Sequence, residues 1–157
     1  MSVRRGDLFK HILLCCDGSP SSQAVLKRGA DLGVLLRAHV HLLAMGPPRG
    51  CDPVFVAAVS GTVCVAEDPY GLQALLTEPV EWLKARGVEV DGQIARGYTV
   101  DEIVTHAKRL AVDLIVLGRY PQASGGSWWS GKRSGPLTER ANCCVLIAVD
   151  STADSVD

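Results

Sequence analysis

The apolar positions of this chain follow two alternating patterns. His11 to Cys16 (HILLCC) is a continuous apolar run closed by Asp17-Gly18-Ser19-Pro20. Such a run predicts a strand buried on both faces. Ala24, Val25, Leu32 and Leu36 then recur at helical spacing. Ser19 or Ser21 is placed to cap that helix, with Pro20 suited to a first turn. His39 to Met45 (HVHLLAM) predicts a second strand, ended by Gly46-Pro47-Pro48. Tyr70 to Arg86 predicts a helix with Leu72, Leu76 and Leu83 on one side. Pro79 is expected to kink it or to start a new segment, and Gly87 to stop it. Val88 to Ala95 predicts a third strand. Thr99 and Glu102 form a capping box for the next helix, whose buried stripe is Ile103, Ala107, Leu110 and Ala111. Asp113 to Gly118 predicts a fourth strand, Ser134 to Arg140 a short helix, and Cys143 to Val149 a fifth strand.

Regular alternation of apolar strands with amphipathic helices implies an α/β fold: an open five-stranded parallel sheet with helices on both faces. Two segments fall outside the pattern. Gly46 to Pro69 is long and holds Pro47, Pro48, Pro53 and Pro69. Loops of this length are usually functional or mobile. It reads either as a flap packed over the domain or as a lid or subunit contact. Arg119 to Gly131 is a Gly/Ser-rich loop that contains Trp128 and Trp129. The expected organisation is one domain over residues 1–150 and an acidic, disordered tail over 151–157.

Composition narrows the classes. The 157 residues are 47% hydrophobic and 21% charged, which suits one globular domain rather than a disordered chain. A net charge of −1 argues against a broad nucleic-acid surface, which needs many cationic contacts to phosphate. No uninterrupted apolar run reaches the roughly 18 residues of a membrane helix, and no apolar signal core follows the basic start. A cytoplasmic protein without membrane insertion is the expectation. Six cysteines include the adjacent pairs Cys15-Cys16 and Cys143-Cys144 but no C-x-x-C. Neighbours on a strand point to opposite faces, so each pair lends one thiol to any one site. They read as small buried hydrophobes.

Open parallel sheets bind ligands beyond the carboxyl ends of their strands, where the strand order reverses. Asp17 ends strand one. Its carboxylate can accept from a ribose hydroxyl or base amine, or cap its own Asp-Gly-Ser-Pro turn, or do both. The loop after Gly118 leads into a helix, which offers backbone N–H groups to an anion, with Lys132 and Arg133 close by in sequence. Gly126 to Arg133 also fits G-x-x-x-x-G-K. It ends in Arg where the nucleoside-triphosphate P-loop needs a hydroxyl for magnesium, and that reading is set aside. His39 and His41 share a strand face, but two histidines fall short of a zinc site. No metal ligand set is expected. His11 and His106 stand alone.

Four segments in this order resemble the universal stress protein family: strand one with Asp17-Gly18-Ser19, Val112 to Gly118, the spacing of the last loop, and Ala141-Asn142-Cys143-Cys144-Val145-Leu146-Ile147. The resemblance implies a Rossmann-like sheet of the adenine nucleotide α-hydrolase type. ATP-binding members carry G-x-x-G, nine residues, then G-[S/T]. Here Gly118-Arg119-Tyr120-Pro121 is followed after nine residues by Gly131-Lys132. Pro121 stands in place of a glycine and Lys132 in place of the small hydroxyl. By position, Asp17 would meet ribose or base and Met45 the adenine. Gly118, Gly131, Lys132 and Arg133 would line the phosphates, with Arg119 and Pro121 in the same loop. The implied function is a regulatory protein that binds ATP, ADP or AMP, with magnesium left open and at most slow ATP hydrolysis. The alternative is a nucleotide-independent interaction module acting in stress response. The resemblance also implies a homodimer through Val145 to Val149 and an unspecified regulatory partner.

Overall fold

The structure is a computed structural model, and it describes residues 8–46, 71–97, 100–119 and 137–149. The long segment after Gly46, the Thr99 cap, most of the last loop and the tail lie outside them. The elements run β1 (His11–Cys16), α1 (Ser21–Leu36), β2 (His39–Gly46), α2 (Leu72–Ala85), β3 (Glu89–Arg96), α3 (Val100–Arg109), β4 (Leu114–Gly118), α4 (Leu137–Arg140) and β5 (Cys144–Ala148). All strand pairs are parallel, in the order β3-β2-β1-β4-β5. The open five-stranded parallel sheet expected from the sequence is therefore present.

Period two along the strands divides the core into two layers. Ile12, Leu14 and Cys16 face a cluster with Ala24, Val25 and Leu83, which α1 and α2 cover. Leu13, Cys15, Leu43 and Met45 face the opposite cluster with Ile103, Ala107 and Leu137, which α3 and α4 cover. Cys15 and Cys16 thus lie on opposite faces, and both are buried thiols. Gly29 and Gly33, one turn apart on α1, let the helix approach the sheet closely. A Cβ on Gly29 would stand 2.3 Å from Leu14 Cδ1, and one on Gly33 3.0 Å from Val88 Cγ1.

Some local expectations shift. Neither Ser19 nor Ser21 caps α1; Pro20 holds the cap position with no side-chain hydrogen bond. α2 continues as one helix through Pro79. Gly87 does stop it, at φ +83°. Ala111, read as part of the stripe of α3, is exposed at φ +51° just beyond that helix. It turns the chain into β4, so the buried stripe is Val100, Ile103, Val104 and Ala107. Asp113 ties the strand starts together. Its Oδ2 accepts from Lys10 N at 2.7 Å and His11 N at 3.0 Å. Its backbone N–H donates to His11 O, and its carbonyl accepts from Cys144 N.

Candidate functional site

The strand order reverses between β1 and β4. The chain moves outward from β1 to β2 and β3, then returns to the other side of β1 for β4 and β5. The crevice beyond the carboxyl ends of β1 and β4 is where such sheets bind ligands. Its walls are the Asp17 turn and the Gly118-Arg119 exit.

Gly18 at φ +83° lets the chain bend sharply after β1, a conformation that a side chain would strain. Asp17 Oδ1 accepts from Ser19 N at 2.9 Å and from Ser22 Oγ at 3.2 Å. Ser22 Oγ in turn accepts from Asp17 N at 3.1 Å. The turn-capping role of Asp17 is therefore realised. Both of its bonds end on one carboxylate oxygen. Across the crevice, Ser21 Oγ donates to Arg119 O at 2.5 Å, which joins the two walls. Ser19 Oγ is enclosed and has no hydrogen-bond partner among the described residues. A buried hydroxyl in that state is costly unless water or a ligand reaches it.

Of the residues singled out in the sequence, Asp17, Gly118 and Arg119 come together here. Arg119 is exposed. Met45 is 1% exposed and belongs to the core cluster of Leu43, Ala95 and Ile103. Pro121, Gly131, Lys132 and Arg133 lie outside the described residues. α4 is a single turn.

A second constellation lies at the opposite, amino-terminal end of the sheet. Parallel register sets His39 beside His11 and Glu89, and His41 beside Asp91. Asp91 receives both β2 histidines: Oδ2 lies 2.7 Å from His39 Nε2 and Oδ1 2.9 Å from His41 Nδ1. The other ring nitrogens are also engaged. His39 Nδ1 lies 3.3 Å from Glu89 Oε1, and His41 Nε2 lies 3.2 Å from His11 Nδ1. Burial works against charging His39, but its hydrogen bonds to Asp91 and Glu89 outweigh it and hold the ring above its ordinary pKa. Burial likewise pushes Asp91 up, and the bonds from His39 and His41 outweigh it and hold the carboxyl below the usual range. The reading of His39 and His41 as an isolated pair, and of His11 as alone, is corrected by this register. Asp91 is 50 residues from His41 along the chain, so no local motif could have joined them.

The fold defines a class, the doubly wound parallel α/β domains. A family model described as universal stress protein family matches residues 8–148, and the chain belongs to that family. The universal stress protein YxiE of Bacillus subtilis (strain 168) is 27% identical over 150 residues, covering 89% of this chain and 99% of that protein. The fold also matches the universal stress protein of Archaeoglobus fulgidus in complex with dAMP, with a TM-score of 0.61 and 18% identity over 90% of this chain and 98% of that one. A universal stress protein family protein of Arabidopsis thaliana with AMP bound gives a TM-score of 0.60 and 17% identity, over 94% of this chain and 96% of that one. Among the described residues no helix is long and apolar enough to cross a membrane.

Proposed function

We propose that this protein is a regulatory module that binds an adenine nucleotide in the crevice between β1 and β4. The observation that carries this reading is the junction of the two walls, where Ser21 Oγ donates to Arg119 O and the enclosed Ser19 Oγ lacks a partner among the described residues. The dAMP and AMP complexes of the two related structures support the ligand class.

The residues present fit such a ligand in part. Asp17 Oδ1 is committed to the turn, which leaves Oδ2 to accept from a ribose hydroxyl. The Ser19 hydroxyl can donate to a ligand oxygen. The Arg119 guanidinium meets phosphate as a charged fork. Magnesium is not required by any of these contacts.

Titration of the purified chain with ATP, ADP and AMP tests the reading. Dissociation constants below millimolar are expected. Arg119→Ala should weaken ATP by about 10–100-fold, as expected for loss of a charged hydrogen bond, and AMP by less. No binding of any of the three below millimolar would sink the proposal.

A second reading, a nucleotide-independent interaction module, is favoured by the commitment of Asp17 Oδ1 to its own turn and by Pro121 and Lys132 in the phosphate motif. Chromatography of a heat extract separates the two. A stoichiometric adenine nucleotide in the extract would count against the second.

The family resemblance and the sheet edge together support a homodimer. β5 lies at one edge of the sheet, with Leu146 in it 38% exposed and Val149 just after it 42% exposed. An apolar edge that no strand among the described residues pairs is prone to pair with a second copy. Light scattering is expected to give twice the chain mass, and Leu146→Lys to shift it toward the monomer. A wild-type monomer at working concentration would refute the dimer.

A further inference from the structure

The geometry points to a binding site for one borderline divalent transition metal ion, of the zinc class, formed by His39, His41 and Asp91 at the amino-terminal end of the sheet. It lies at the opposite end of the strands from the nucleotide crevice and does not depend on it.

The donor set comes first. Two imidazoles and one carboxylate offer ligand atoms that all lie within 4.8 Å of one another. In a tetrahedral zinc site the ligand atoms stand about 3.3 Å apart, given bonds of about 2.0–2.1 Å. Small rotamer changes in side chains on adjacent, rigid strands close that gap. Imidazole and carboxylate together suit zinc and its first-row neighbours.

The outer contacts carry the argument further. A metal-bound imidazole needs its other nitrogen protonated and donating to an acceptor, which fixes the tautomer. Both histidines have that acceptor. His39 Nδ1 faces Glu89 Oε1, so Nε2 is the atom left to turn its lone pair inward. His41 Nε2 faces His11 Nδ1, so Nδ1 is left to do the same. The rings of His11 and His41 lie within 16° of parallel with centroids 5.4 Å apart, which suits an in-plane N–H to nitrogen contact. The two inward nitrogens converge on the two oxygens of a single carboxylate.

The charge of a divalent ion held there would be matched by the two carboxylates beside it, Asp91 and Glu89. Access is graded: the His41 side chain is 7% exposed and that of Asp91 45%. The ion would be held from the core side and left open to water on the other, with three protein ligands and an exchangeable position.

Isothermal titration of the untagged, reduced, chelator-washed chain with zinc chloride tests this. One zinc ion per chain is expected, with a raised melting temperature. His39→Gln and Asp91→Asn should each weaken binding by at least about 10-fold, since loss of even an outer partner costs about 10–100-fold. The double change Cys143→Ser with Cys144→Ser should leave binding unchanged. Cobalt should give ligand-field bands without a thiolate charge-transfer band. Zinc that fails to bind or to raise the wild-type melting temperature overturns the site. So does equal affinity in His39→Gln, or affinity lost with the two serines. His39 lies at the partly exposed rim, so its variant decides the matter even if Asp91→Asn fails to fold.

Discussion

Replacing Leu14 with alanine is expected to destabilise the protein by about 2–5 kcal/mol, the range for truncating a fully buried leucine. Leu14 is 0% exposed in β1, the middle strand of the sheet, with β2 and β4 hydrogen-bonded on either side. The void it leaves cannot close by movement of the strand. The same side chain explains why Gly29 lacks a Cβ. A methyl group there would stand 2.3 Å from Leu14 Cδ1 and 2.6 Å from Cδ2. Gly29→Ala alone gains up to about 1 kcal/mol of helix propensity but incurs about 1–3 kcal/mol of overpacking. Its net effect is therefore destabilising. In the Leu14→Ala background the methyl enters the void and the sign reverses. The doubly substituted protein should be more stable than Leu14→Ala alone, with a coupling of about 0.5–3 kcal/mol. Urea unfolding of the four proteins measures it. Additive effects would show that α1 does not rest on Leu14 as described.

Cys16 should be nearly inert to thiol reagents in the native protein. Burial is the main reason; the neighbouring Asp17 charge adds to it, and the Ser22 hydrogen bond opposes it. Together they push its pKa up to about 12 from an ordinary 9.0. At pH 8 that leaves about a thousandth of the thiolate that an ordinary cysteine would have, before counting steric exclusion. Burial and Cys16 push Cys15 up as well. Brief alkylation followed by mass mapping should label Cys144, which is exposed, and spare Cys15 and Cys16. The linkage has a definite sign. A folded pKa above the unfolded one means that the native state holds its proton longer. The stabilisation is complete below pH 9 and is lost as pH rises from there through about 12. Urea midpoints should therefore fall over this window, and fall less in Cys16→Val. An equal alkaline loss in that variant would mean that Cys16 is not the source.

The two predictions rest on features of different legibility. The opposite facing of Cys15 and Cys16 follows from strand periodicity alone, and both core layers contain the predicted thiol. The contact of Gly29 with Leu14 does not follow from it. Helical spacing marks the inward face of α1, but not which strand side chain it meets. Asp17 shows the same division. Its turn chemistry is written in Asp17-Gly18-Ser19-Pro20. That Ser21 reaches across to Arg119, 98 residues away, depends on β4 lying beside β1. Met45 was legible as the end of a strand, yet its burial depends on the helix that packs over it.

The sequence by itself determined the strands, most helix bounds, the parallel α/β class and the family resemblance. These depend on local period, on turn residues and on the order of short motifs. Only the tertiary structure decided which residues share a site. Register between parallel strands is set by long crossovers and by helix packing, not by a turn that can be read in the chain. That register places Asp91 under His41 and Glu89 beside His39, and so turns two histidines that spacing left unpartnered into a converging set of donors.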